Sequence, residues 1–251
     1  MLRPLFFVAI CALFLNGCGC NFTGARHGVT KIGIDPNWYP LDFGAQNSYV
    51  NGFTEELLLE ISVQSGIEFE RIPANWDALF EGMKLGHYQA ILSSLPPYEF
   101  NTALYDFSHN FLDSGPVLIV PEGGHQNDLA KMNGAHIGVI AGDPAVLLLQ
   151  KHEGLIVRNY PTVVALLEAV VNGETDGALL DRVIAGRYVS DLFSGKLRLA
   201  GSPLTNAGLH LITMKGKQPM LMGQFNKSLA LLKKKKRLPS LIRKWQLGDM
   251  A

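Results

Sequence analysis

Two stretches of the chain carry the same run of apolar and polar positions. Residues 79–94 read LFEGMKLGHYQAILSS and residues 166–181 read LLEAVVNGETDGALLD, and they align without a gap, 87 positions apart. Each begins as an amphipathic helix, carrying Glu81 or Glu168, and stops at a glycine, Gly86 or Gly173, the usual residue just past a helix end. A polar turn with Gln89 or Asp176 follows, then a short apolar run that fits a buried strand and closes on Ser94 or Asp181. Upstream of the first copy the pattern predicts a strand at 31–35, a helix over 52–65 opened by the Asn51-Gly52 turn, and a strand at 68–72. Upstream of the second it predicts a strand at 135–140, a helix over 145–152 and a strand at 155–160. Strand, helix and strand in this order lead to parallel sheets, so the chain reads as two similar α/β lobes. Ligands of open α/β sheets lie beyond the carboxyl ends of the strands. Asp35, Ser94, Gly142-Asp143 and Asp181 fall at such ends and locate a candidate cleft.

The first residues follow a different pattern. Arg3 precedes an apolar run from Leu5 to Leu15 and then Asn16-Gly17-Cys18. A basic start, a short apolar stretch and small residues at its end predict a secretory signal over residues 1–17. The run falls short of the roughly 20 residues that a membrane-spanning helix needs. Leu15-Asn16-Gly17-Cys18 resembles a bacterial lipobox, with Asn16 an unusual member. That resemblance makes Cys18 the lipid attachment point and 18–26 a tether, against plain cleavage with no lipid. Cys11, Cys18 and Cys20 are the only cysteines. The body beyond them has no thiol for a disulfide, a nucleophile or a metal.

Composition narrows the function further. The 251 residues are 47% hydrophobic and 18% charged with a formal net charge of zero, ordinary for a globular chain and without the basic excess of a nucleic-acid binder. The seven histidines show no metal-ligand spacing. No nucleophile elbow and no phosphate-cradling glycine loop is present, so neither a cofactor nor a metal is expected.

The order of several short motifs resembles the extracellular solute-binding proteins of the polar amino-acid type (family 3), which deliver ligand to ABC importers. They are residues 34–40 (IDPNWYP), Asn51-Gly52-Phe53, residues 75–79 (NWDAL), Asp106-Phe107-Ser108, Ile137-Gly138-Val139 with Ala141-Gly142, residues 176–181, and Lys244-Trp245. The resemblance covers nearly all of 31–247. It implies a monomer with two α/β lobes of mostly parallel sheet, one of about 27–113 plus 206–251 and the other of about 118–204, with hinge crossings near 114–118 and 204–206. It further implies an exported protein whose partners are a small polar ligand and an inner-membrane permease, held at the membrane by its lipid.

The same resemblance implies a ligand site. Trp38 and Trp76 stand where the family places aromatic walls, while Trp245 reads as packing of the last helix. Asp35 and Asp181 match acidic positions, and the latter pairs in the family with an α-amino group; Asp35 reads equally well as a cap of the turn after it. Two positions depart from the pattern. The family's carboxylate-gripping arginine is replaced by Asn101, and the Thr of its Gly-Thr pair by Asp143. Asparagine cannot supply a bidentate charged grip. These changes favour a ligand with a cationic or neutral polar head, unless an arginine such as Arg182, which reads most simply as a solvated surface residue, has taken over. Two other classes remain open. One is an adhesin or assembly factor that has lost its ligand. The other is a dehydratase-like enzyme using a cleft carboxylate such as Glu99 or Asp143.

Overall fold

The structure is a computed structural model that describes residues 28–248 apart from Pro40 and Asp42. The expected signal, tether and Cys18 lie outside the described residues. In chain order the elements are β1 (Thr30–Ile34), α1 (Asn47–Ser65), β2 (Phe69–Pro73), α2 (Trp76–Lys84), β3 (Ala90–Ser93), α3 (Glu99–Thr102), β4 (Tyr105–Phe107) and β5 (Leu112–Asp113). Then come β6 (Pro116–Pro121), β7 (His136–Ile140), α4 (Val146–Leu149), β8 (Ile156–Tyr160), α5 (Val163–Val171), β9 (Gly177–Asp181), α6 (Arg182–Ser190), β10 (Leu197–Ala200), β11 (Gly208–Met214), α7 (Pro219–Lys234) and α8 (Arg237–Lys244).

The strands form two sheets. One runs β2-β1-β3-β11-β4, with β5 also on β11; the other runs β10-β6-β9-β7-β8. In the first sheet, one face packs its apolar residues against α1, α7 and α8, and the other against α2. The second sheet is covered by α5 and α6 on one face and by α4 and the 129–132 turn on the other. This is an α/β fold of two lobes.

Both sheets are mixed rather than mostly parallel. β1, β2 and β3 are mutually parallel, as are β7, β8 and β9, but β11 and β6 run against them. The reason is where the chain crosses. The N–H groups of Ser114 and Gly115 both reach the Ala207 carbonyl, and Leu204 N–H donates to Pro116, so the two crossings lie side by side. β6 enters its sheet opposite Asp181 and β11 enters near Ser93, both at the end to which the parallel strands run. A strand that enters there can only run away from it.

The duplicated pattern extends to individual hydrogen bonds. Asn75 caps α2 by accepting the Ala78 N–H, and Thr162 caps α5 by accepting the Ala165 N–H. Both helices end in the same double bond: Gly86 N–H to Met83 with His87 N–H to Gly82, and Gly173 N–H to Val170 with Glu174 N–H to Ala169. Gln89 and Asp176 then each reach back across the sheet, their side chains accepting the N–H of Lys31 and His136. Gly86 and Gly173 have φ of +78° and +73°, with open space where a Cβ would stand. Gly86→Ala and Gly173→Ala are each expected to lower the unfolding free energy by about 1–2 kcal/mol, the cost of a left-handed L-residue, measurable by urea titration.

Two expected helices differ from the pattern. α1 begins at Asn47, so Asn51-Gly52 lies inside it rather than opening it. Gly52 is small for a tertiary reason: the Trp245 ring lies where its Cβ would be. Trp245 donates its Nε1–H to Glu56 at 2.9 Å and packs the terminal helix on α1. The helix expected over 145–152 shrinks to Val146–Leu149, because the following N–H groups of Lys151 and His152 turn to carbonyls three residues back.

Candidate ligand-binding cleft

The acidic positions are built alike. Asp35, Asp143 and Asp181 each follow a strand or end it, and each carboxylate accepts an N–H two residues on, from Asn37, Ala145 and Val183 at 2.9, 2.7 and 2.9 Å. Such turns hold a short acid in place at a strand end. Asp35 is buried, whereas Asp143 and Asp181 are half-buried. Asp181 also caps α6. Its pKa is pushed up to about 7, first by burial and further by the charge of Asp143, while the N–H groups of Val183 and Ile184 pull the other way. The structure therefore brings Asp143 and Asp181 together on the second lobe, at the ends of the paired strands β7 and β9.

The first lobe corrects one of the expected walls. Trp38 is 1% exposed and lies in the core with residues of α1 and α7. Its Nε1–H donates to Asn51 Oδ1 at 2.9 Å, and Asn51 in turn donates to the Pro36 carbonyl. The backbone of Trp38, in the turn after β1, sits at φ +61°, a left-handed conformation that is rare for so large a residue. The next residue, Tyr39, is the exposed one. Its ring meets Trp76 edge-on with centroids 5.2 Å apart, and Trp76 meets Phe80 likewise at 5.0 Å. The aromatic ledge is thus Tyr39 and Trp76, not Trp38 and Trp76.

Ser94 and Asn101 face backbone. Ser94 Oγ is 2.8 Å from the Trp38 carbonyl and 3.1 Å from that of Tyr39, which pins the aromatic turn to the end of β3. Asn101 is buried and donates its Nδ2–H to the Pro96 carbonyl at 2.8 Å. Arg182 is buried too, not a solvated surface residue. It lines a cavity of about 700 Å³ between α6, β10 and residues 243–248, whose walls include none of Asp35, Trp76, Ser94, Asn101, Asp143 and Asp181. α6 belongs to both lobes' packing: Val183 enters the first core, Ala185 the second, and the Arg187 guanidinium lies 5.2 Å over the Tyr49 ring of α1. Among the described residues no cluster of three or more metal-ligating side chains forms, and no helix is long and apolar enough to cross a membrane.

Two α/β lobes joined by paired crossings, with an acid at or just beyond a strand end in each, define the architecture of a periplasmic-binding-protein domain. The chain belongs to the bacterial extracellular solute-binding proteins, family 3, which it matches over residues 30–248. It is 22% identical to the arginine-binding extracellular protein ArtP of Bacillus subtilis, over 98% of each chain. It is 26% identical to a probable histidine-binding protein of Campylobacter jejuni, over 96% of this chain and 97% of the other. In fold it is similar to the unliganded open L-cystine solute receptor of Neisseria gonorrhoeae, with a TM-score of 0.69 at 16% identity, covering 88% of this chain and 93% of that one. The second substrate-binding domain of a putative amino acid ABC transporter from Streptococcus pneumoniae gives 0.67 at 22% identity, over 86% and 99%.

Proposed function

We propose that this protein is an exported, non-catalytic solute-binding lipoprotein, anchored through Cys18, that carries a cationic amino acid or related amine to an ABC permease. The observation that carries the reading is the acidic pair Asp143–Asp181 at the strand ends of the second lobe; in this reading the pair faces Asp35 and the Tyr39–Trp76 aromatic ledge of the first lobe across the ligand. Burial and the neighbouring Asp143 oppose ionisation of Asp181, and a cation bound beside the pair would restore the charged form. A ligand carboxylate brought there would meet like charge, and Asn101 offers it no countercharge. The relatives named for arginine and histidine support the class. In this reading the lobes, about 27–113 with 206–251 and about 118–204, close by bending at the crossings, with Ser94 and Asn101 bracing the backbone of the first lobe's side.

Calorimetric titration with arginine, ornithine, histidine and agmatine, against glutamate and glutamine, tests the proposal. The cations should bind and glutamate should not. Tight binding of glutamate, abolished by Arg182→Ala, would overturn it. Trp76→Ala should weaken the preferred cation by about 1–3 kcal/mol, through lost apolar contact and cation–π attraction.

A further inference from the structure

The cavity of about 700 Å³ beside α6 has walls from both lobes. The second lobe supplies Gly186 and Val189 of α6 and Leu197, Arg198 and Leu199 of β10. The first lobe supplies Arg243 of α8 and, just after it, Gln246 and Gly248. α8 is fixed to that lobe by Leu238, Leu241 and Ile242 in its core. The two sides touch where Gly186 meets Gly248: a Cβ on Gly186 would stand 2.5 Å from the Gly248 Cα. The volume falls within the range of about 300–1,000 Å³ usual for small-molecule sites. A ligand can reach it. Arg182, Gly186 and Leu197 are buried, whereas the lining residues Ser194, Gly195 and Arg243 are exposed, so the cavity opens to solvent.

Its charge is one-sided. Three guanidinium groups, of Arg182, Arg198 and Arg243, line it against two carboxylates, Glu122 and Asp191. Asp191 is already engaged by Arg187, which lies outside the lining, at 2.8 Å. Arg198 is braced by neutral acceptors: Nη1 donates to Asn127 Oδ1 at 3.1 Å, and Nη2 to the carbonyls of Gly124 and Gln126. These bonds fix its direction without neutralising it. Three positive groups therefore stand against Glu122, which is exposed. Val189, Leu197 and Leu199 add apolar wall. Guanidinium forks match carboxylates bidentately, and apolar wall between them suits a carbon skeleton.

We propose that this cavity is a second ligand site, distinct from the cleft, that takes a small organic anion carrying two or more carboxylates. Arg182 and Arg198 hold it from the second lobe and Arg243 from the first, so the occupant spans both. The site does not depend on what the cleft binds, because Asp35, Trp76, Asp143 and Asp181 are absent from its walls.

The test titrates the full 15N-labelled chain with citrate, succinate and inorganic phosphate at an ionic strength of about 0.15 M, where exposed charges alone are well screened. Citrate should bind, succinate more weakly, and phosphate weakest, since it has no carbon skeleton for the apolar wall. Citrate should move the amide resonances of Gly195, Gly201 and Gly248. Arg243→Gln, at an exposed position, and Arg198→Gln should each weaken citrate roughly tenfold or more by calorimetry. No binding of citrate overturns the proposal. So does binding that leaves those three glycines in place, or that Arg243→Gln leaves unchanged. Phosphate binding more tightly than citrate would overturn the assignment to an organic anion. Should Arg198→Gln not fold, Arg243→Gln and the glycine resonances decide.

Discussion

Trp38→Ala is expected to lower the unfolding free energy by about 3–5 kcal/mol, the range for emptying a buried aromatic site. The indole is almost wholly enclosed in the first lobe's core, so its loss leaves a cavity among α1 and α7 rather than a gap in the cleft. Asn51 Oδ1 loses its donor at the same time. Trp38→Phe separates the two effects: it keeps most of the apolar volume and should cost about 1–3 kcal/mol, mainly for the unmet Asn51 acceptor. Binding should weaken in both variants, because Ser94 grips the carbonyls of Trp38 and Tyr39 together and Tyr39 stands on that turn. Urea unfolding and calorimetry read the two quantities. Unchanged stability with lost binding would mean that Trp38 is itself the wall.

The affinity for arginine is expected to rise about tenfold between pH 6 and pH 8. With its pKa near 7, Asp181 is mostly protonated at the lower pH and mostly ionised at the higher. Only the ionised form attracts a cation, so the competent fraction sets the apparent affinity. The guanidinium stays charged throughout. Binding should release a proton, seen as a heat that varies with the buffer's ionisation enthalpy. Asp181→Asn should flatten the profile and weaken binding by about 1.5–3 kcal/mol, as for a lost hydrogen bond to a charged group. The unliganded protein carries the mirror effect. A carboxyl whose folded pKa is raised favours folding while it is protonated, so that contribution is complete below its ordinary pKa near 4 and is lost as pH rises through about 7. Asp181→Asn should remove this loss, and an unfolding titration across that window measures it.

The sequence by itself determined the repeated unit. Helix periodicity, a glycine beyond each helix and a polar residue before each strand are local signals, and the glycines and polar residues appear in the structure as specific bonds. The acids at the strand ends were legible for the same reason: Asp35, Asp143 and Asp181 each close a turn with their own neighbours. Tertiary structure decided the rest. Trp38 and Tyr39 are adjacent aromatics, and which of them is buried depends on Asn51 holding the indole from another element and on the left-handed backbone at Trp38. Gly52 looks like a turn residue until the Trp245 ring, 193 positions away, is placed against it. His210 is one of seven scattered histidines in the chain; only the register of β11 on β3, across more than a hundred residues, sets it beside Ser93. Arg182 follows Asp181 directly, yet the helix that starts there turns it toward a different cavity. Short-range hydrogen bonding and periodicity are written in neighbouring residues, whereas burial and strand register arise from contacts between distant segments that no local pattern encodes.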